Sequence, residues 1–313
     1  MMLLDEATQP TMYFIGVTTT QSSIMKLFPL WAKELGLKDA IIKGIDIKIH
    51  AKPEEYREAV VFIKNDPLSL GALVTTHKID LYHAARELFD NLDPYAVRFG
   101  ELSSISKKDG RLEGHAKDPI SSGLAMKAFI PKGFWREHHG EVFIMGAGGS
   151  ALAIASYLMK KDHGDDIPAK IIISNRSKPR LKSAQEKLDG INPEVALEYH
   201  ECPTEEQNDA IMNGMKPYSL VVNATGRGKD TPGSPITSGG VFPENSLVWE
   251  LNYRGDLDFL QQANAQKERN SLQVEDGWIY FIQGWTQVIF EVFHLGMEAE
   301  GFHRLVEIAN SIG

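Results

Sequence analysis

The stretch E-V-F-I-M-G-A-G-G-S-A-L-A-I-A-S-Y-L-M, residues 141–159, decides the fold. An apolar run that reads as a buried strand leads without a break into Gly146, Gly148 and Gly149. Ser150 and Ala151 then open a helix of small residues. Glycine permits the tight strand-to-helix turn and lets backbone N–H groups approach a pyrophosphate, which the helix N-terminus attracts. Any tight turn can use glycine, so the flanking strand and helix carry the weight of the reading. Gly146, Gly148, Gly149, Ser150 and Ala151 are the candidate phosphate cradle of a dinucleotide-binding domain.

Beyond this stretch, strand-like runs at 170–174, 194–200, 218–222 and 246–251 alternate with helical segments near 178–188, 204–214 and 257–268. That rhythm predicts a parallel, doubly wound sheet. On the N-terminal side, strands at 13–17, 45–50 and 71–75 alternate with helices near 23–35, 54–64 and 79–89. The first of these helices repeats Ile24, Leu27, Phe28, Trp31 and Leu35 at helical spacing and stops at Gly36. The polar, basic stretch 131–140 reads as a linker between two domains. A last helix near 280–295 is expected to return to the first. The fold class is therefore α/β with two domains.

With 313 residues, 42% hydrophobic and 24% charged, the chain has ample material for a core and none of the bias of a disordered or membrane protein. Thirty-three basic against 42 acidic residues give a net charge of −9, which argues against nucleic acid or an anionic membrane as a partner. A single cysteine, Cys202, excludes an intramolecular disulfide framework. The N-terminal segment lacks the basic and apolar blocks of a secretory signal, so a reducing cytoplasm is the expected location.

The run I-I-I-S ends in Asn175-Arg176-Ser177, with Arg180 close behind. An NAD site would place Asp or Glu there for the ribose 2′-hydroxyl, whereas arginine with neutral hydrogen-bonders suits a 2′-phosphate. NADP is therefore expected over NAD; the alternative is two solvated charges on a turn. Asn223, Thr225 and Gly226, after the strand at 218–222, form a candidate nicotinamide-side loop or a plain strand end. In the first half, Lys78 follows a buried strand and Asp118 precedes Pro119. Beside a nicotinamide cofactor they make chemical sense, because oxidising an alcohol removes a hydride from carbon and a proton from oxygen.

The motifs together resemble the shikimate dehydrogenase family: G-V-T-T-T-Q-S-S at 16–23, V-T-T-H-K at 74–78, G-R-L-E-G-H-A-K-D at 110–118, G-A-G-G-S-A-L-A at 146–153, N-R-S at 175–177, N-A-T-G at 223–226, Tyr253 and Gln283. The resemblance implies an N-terminal α/β substrate domain, 1–120, completed by C-terminal helices from 258–313, plus a Rossmann NADP-binding domain at 121–257. It implies reversible reduction of 3-dehydroshikimate to shikimate with NADPH. Lys78 and Asp118 correspond to the catalytic pair, and Ser22 to a hydroxyl that holds the substrate carboxylate. Thr75, Tyr253 and Gln283 correspond to further substrate contacts. The second small hydroxyl falls on Ile24, with Ser23 one residue earlier. Two asparagines of the family pattern become Ser103 and Ala116, a glycine becomes Pro119, and Gln287 rivals Gln283 one helical turn on.

These departures fall where substrate would lie, so quinate, an aminoshikimate or a cyclitol are alternative small polyhydroxylated ring substrates. A non-catalytic NADPH-binding protein is the reading from a different class. No metal is expected, since no His-x-x-His or Glu-x-x-His pair stands on a convincing helix. No Gly-x-Ser-x-Gly turn supports a hydrolase. A monomer or homodimer is expected.

Overall fold

The computed structural model describes residues 4–37, 39–228, 231–296 and 299–312. In chain order the elements are β1 (Thr11–Gly16), α1 (Ile24–Glu34), β2 (Ile41–Asp46), α2 (Pro53–Asn65), β3 (Ser69–Val74), α3 (Lys78–Ala85), β4 (Asn91–Leu92), α4 (Pro94–Phe99), β5 (Ser104–Lys108) and β6 (Arg111–His115). There follow α5 (Asp118–Lys127), α6 (Phe134–His138), β7 (Glu141–Met145), α7 (Gly149–Leu158), β8 (Lys170–Asn175), α8 (Lys178–Leu188), β9 (Ala196–Glu201), α9 (Glu205–Asn213), β10 (Leu220–Asn223), β11 (Leu247–Glu250), α10 (Asp258–Gln266), β12 (Gln273–Glu275), α11 (Trp278–Val292) and α12 (Ala299–Asn310).

The chain divides into two compact units, one of residues 1–117 with 284–313, the other of 118–283. The boundary falls inside α11. The family resemblance implies a return from 258, but α10 packs on β11 and β12, which continue the second sheet, so this segment belongs to the second unit.

The first unit is built on a six-stranded sheet in the order β2-β1-β3-β5-β6-β4. β1 pairs parallel with β2 and β3, whereas β3–β5 and β5–β6 are antiparallel. The expected strand at 45–50 begins earlier and ends at Asp46, because Ile41–Asp46 pairs with Thr11–Gly16. The Asp46 carboxylate then accepts the Thr19 N–H at 2.9 Å and its hydroxyl at 2.6 Å, tying the polar turn after β1 to β2. One core joins Ile15, Ile45, Val60, Ile63, Val74, Leu81 and Ile105. Elsewhere in the unit the C-terminal helices supply cover: Trp285 meets Phe14 edge-on at 4.9 Å, and the Trp31 indole N–H donates to the Leu305 carbonyl at 2.9 Å. Trp31, Leu27 and Phe28 are fully buried. Each such side chain contributes about 1.5–3 kcal/mol.

The second unit holds an all-parallel sheet, β12-β11-β10-β7-β8-β9. Numbered from β7, this is the 3-2-1-4-5-6 order of a dinucleotide-binding sheet, and the order reverses between β7 and β10. The central strands β7, β10 and β11 are buried on both faces and correspondingly apolar. The stretch 131–140 contains α6, whose Phe134 and Trp135 are buried; His138 stacks on Tyr218 at 4.0 Å.

Candidate functional site

In an open parallel sheet, ligands lie beyond the strand carboxyl ends where the order reverses. Here that point is flanked by the loops after β7 and β10. Gly146 has φ +115°, and a Cβ on it would stand 2.5 Å from the Ala224 carbonyl oxygen. Only glycine lets the two loops approach this closely. Gly148 has nothing within 4 Å of its missing Cβ, and α7 starts at Gly149 with no side chain capping its first N–H groups. Such a cradle fits a pyrophosphate. Gly149 and Ser150 form the first turn of α7, while Ala151 is buried and packs the helix down.

A cleft of about 550 Å³ runs from this cradle past Ser174, Asn175, Arg176, Ser177 and Arg180 to Pro203, Thr204 and Glu205, and is walled by Ala224, Thr225 and Arg227. The Asn175 carboxamide oxygen accepts the Ser177 N–H at 2.8 Å, an Asx turn that leaves Arg176 and Arg180 exposed at the rim. Ser174 donates to Asn208 at 2.7 Å, and Asn208 to the Pro235 carbonyl at 2.8 Å, which secures the floor. The one carboxylate lining the cleft among the described residues, Glu205, is ion-paired to Arg227, whose hydrogen bond holds it below the ordinary range. With that charge matched, Arg176 and Arg180 leave the cleft suited to an anion. The sequence reading missed Thr204, Glu205, Asn208 and Arg227. The position of Pro203-Thr204 just after β9, at the same sheet edge, was the available signal.

Asn223 is fully buried and supports the loop from beneath. Its oxygen accepts the Thr225 N–H at 3.1 Å and hydroxyl at 2.7 Å, and its amide donates to Glu250 at 2.6 Å. Gly226, at φ +75°, completes the turn. Glu250, also fully buried, accepts the Asn252 N–H at 2.8 Å and side-chain amide at 2.7 Å. Burial outweighs these hydrogen bonds and pushes its carboxyl up to about 7. Between about pH 4.5 and 7 the folded chain therefore holds a proton that the unfolded chain has released. Stability from this group is full below that window and falls by about 3 kcal/mol as pH rises through it. Thermal melts from pH 4.5 to 7.5 are expected to show a steeper decline for the native chain than for Glu250→Gln. Parallel curves would sink this account.

Tyr253 packs on Phe281 at 4.5 Å and on Trp278 at 5.5 Å, and Gln283 is buried at the end of the second unit. Asp118 is the first residue of α5 and is buried.

In the first unit, Lys78 is the half-buried first residue of α3, and the Thr75 hydroxyl donates to the Ile15 carbonyl at 3.3 Å. Ser22 is half-buried and Ser23 exposed at the start of α1. Ser103 is buried, its hydroxyl accepting the Lys117 N–H at 2.7 Å and facing the His115 carbonyl at 3.4 Å. Ala116 and Ile24 are wholly buried. Gln287 lies in a hollow of about 370 Å³ with Lys117 and Glu291.

No family model matches the chain. It is 28% identical over 180 residues to the shikimate dehydrogenase (NADP(+)) of Streptococcus thermophilus, covering 57% of this chain and 58% of that protein. The chain spans about three fifths of the length of the first curated relatives it matches. Among solved structures, quinate dehydrogenase from Corynebacterium glutamicum in complex with NAD superposes with TM-score 0.74 at 17% identity, over 97% of this chain and 99% of that one. Shikimate 5-dehydrogenase from Thermus thermophilus in complex with NADP(H) and shikimate gives 0.69 at 23%, over 96% and 99%. The chain resembles these dehydrogenases in sequence and shares their two-domain fold. Among the described residues no helix is long and apolar enough to cross a membrane.

Proposed function

We propose that this shikimate-dehydrogenase-like chain is an NADP-dependent oxidoreductase interconverting a ring secondary alcohol and its ketone, 3-dehydroshikimate and shikimate being the favoured couple. The observation that carries the proposal is the cleft of the second unit, where the glycine cradle and the Arg176–Arg180 rim line one cavity. Gly146, Gly148 and the first turn of α7 would hold the pyrophosphate. Arg176, Ser177 and Arg180 would hold a 2′-phosphate, since β8 ends in Asn175 and not in the Asp or Glu that holds a ribose 2′-hydroxyl. Bound NADPH supplies the hydride. Lys78 is proposed to hold or return the proton at the substrate oxygen, with Asp118 as the second proton-handling group. The proposed setting is the cytoplasm, with a small-molecule partner and a monomer or homodimer.

An absorbance assay at the reduced-nicotinamide band, with NADP or NAD and a panel of shikimate, quinate and cyclitols, tests cofactor and substrate together. NADP-linked turnover of a ring alcohol is expected; tight NADPH binding with no turnover on the panel would favour a non-catalytic protein. One observation supports quinate, an aminoshikimate or a cyclitol as the second reading. The Ser103 hydroxyl is spent on backbone groups and Ala116 is buried in the core, so neither position offers a ring hydroxyl a partner.

Arg176→Ala is expected to weaken NADPH by about 1–3 kcal/mol, roughly ten- to a hundredfold, with little change for NADH. Competitive titration of the two reduced cofactors measures it. Equal losses for both would remove Arg176 from the 2′-phosphate site.

A further inference from the structure

We propose that Glu113, His115 and Glu291 of the first unit form a site for a single divalent transition-metal ion of the Zn²⁺ or Mn²⁺ type, distinct from the reaction assigned above. Glu113 and His115 are two apart on β6 and so project from one face of the strand. Glu291 reaches them from α11. His115 Nε2 lies 3.3 Å from Glu291 Oε1 and 3.9 Å from Glu113 Oε2, and one ligand atom from each residue lies within 4.8 Å of the other two. Ligands bound to one such ion at about 2.0–2.2 Å stand up to about 4.4 Å apart. Side-chain shifts of about half an ångström bring all three within that range.

A second observation points the same way. The other ring nitrogen of His115, Nδ1, is 3.9 Å from the Asp93 carboxylate, which is fixed by its other oxygen accepting the Ala96 N–H at 2.6 Å. At 3.9 Å the carboxylate stands just beyond hydrogen-bond distance of Nδ1, and a small turn of the ring would bring it into the outer support that metal-bound histidines use. The side chains of His115, Glu113 and Glu291 are 12, 20 and 22% exposed, enough for an ion to enter and too little for water to screen the two gathered carboxylates.

The remaining neighbours define what the ion must displace. Ser106 Oγ is 3.3 Å from His115 Nε2, the Lys117 ammonium is ion-paired to Glu291, and Lys108 and His294 line the adjoining hollow. Lys117 is the counter-charge of the metal-free chain, so ammonium and metal ion compete for Glu291. Binding would clamp β6 to α11, with water completing the shell.

Zn²⁺ titration of the full chain by calorimetry, after chelator treatment, tests the site, and Co²⁺ absorbance reports its geometry. One ion per chain is expected, raising the melting temperature. His115→Ala and Glu113→Gln should each weaken binding at least tenfold, Asp93→Asn ten- to a hundredfold, and Lys117→Gln should tighten it. Glu113→Gln carries the test if His115→Ala does not fold. Absence of saturable binding, affinity unchanged in Glu113→Gln, or weaker binding in Lys117→Gln would overturn the assignment. NADPH titration of each variant separates this outcome from failure of the dinucleotide site.

Discussion

Lys78→Met is expected to cut turnover by roughly 10²–10⁴-fold while leaving NADPH affinity and the melting temperature near their native values. That range is the usual contribution of a positioned acid–base group. The separation of effects follows from how the residue is held. The Lys78 N–H donates to the Thr75 carbonyl at 3.3 Å and its carbonyl accepts the Leu102 N–H at 3.0 Å, so its backbone is anchored independently of the ammonium. Methionine keeps the length of the stem and its apolar packing while removing the charge. Steady-state assays beside a cofactor titration and a melt make the comparison. Native turnover in Lys78→Met would remove the residue from the chemistry. Loss of cofactor affinity and stability together would mark it as structural.

Gly146→Val is expected to abolish measurable NADPH binding and to cost about 3 kcal/mol or more of stability. A β-branched residue is strained at φ +115°, and its Cβ would meet the Ala224 carbonyl at 2.5 Å, so the loops after β7 and β10 must part. Gly148→Ala supplies the contrast. No atom lies within 4 Å of the added methyl and the backbone angle is ordinary, so the protein should fold with native stability. The methyl would nonetheless enter the space a pyrophosphate needs, and NADPH affinity should fall tenfold or more. Urea melts and fluorescence titrations read the two quantities apart. Native NADPH affinity in Gly148→Ala would move the phosphate site elsewhere.

Most of the dinucleotide sheet was legible because its signals are local: an apolar strand, glycines and a small-residue helix adjoin in 141–159, and β8, β10 and β11 are short apolar runs, whereas the three-residue β12, Gln-Val-Glu, went unread. The β5–β6 hairpin escaped, although Asp109 and Gly110, both at positive φ, spell a hairpin turn between the two strands. The linker reading of 131–140 failed because net polarity concealed Phe134 and Trp135, two adjacent residues that both find cover. Glu250 carried a faint signal, a carboxylate in an otherwise apolar run. The gathering of Glu113, His115 and Glu291 carried none, since spacing rules read one element at a time and this cluster joins a strand to a helix far along the chain. Ser103 and Ala116 stood out as departures from a motif; their burial and bonding needed coordinates.

The unit boundary inside α11 has a consequence for biogenesis. During synthesis the first 117 residues emerge early, yet Phe14 and Trp31 receive Trp285 and Leu305 only from the final thirty residues. At ordinary elongation rates the intervening segment delays them by roughly ten to thirty seconds. For that interval the nascent chain carries an uncovered apolar face while the all-parallel sheet is still being delivered. Such a chain is a natural client for a holding chaperone, and premature termination after residue 283 would leave the earlier unit without its cover.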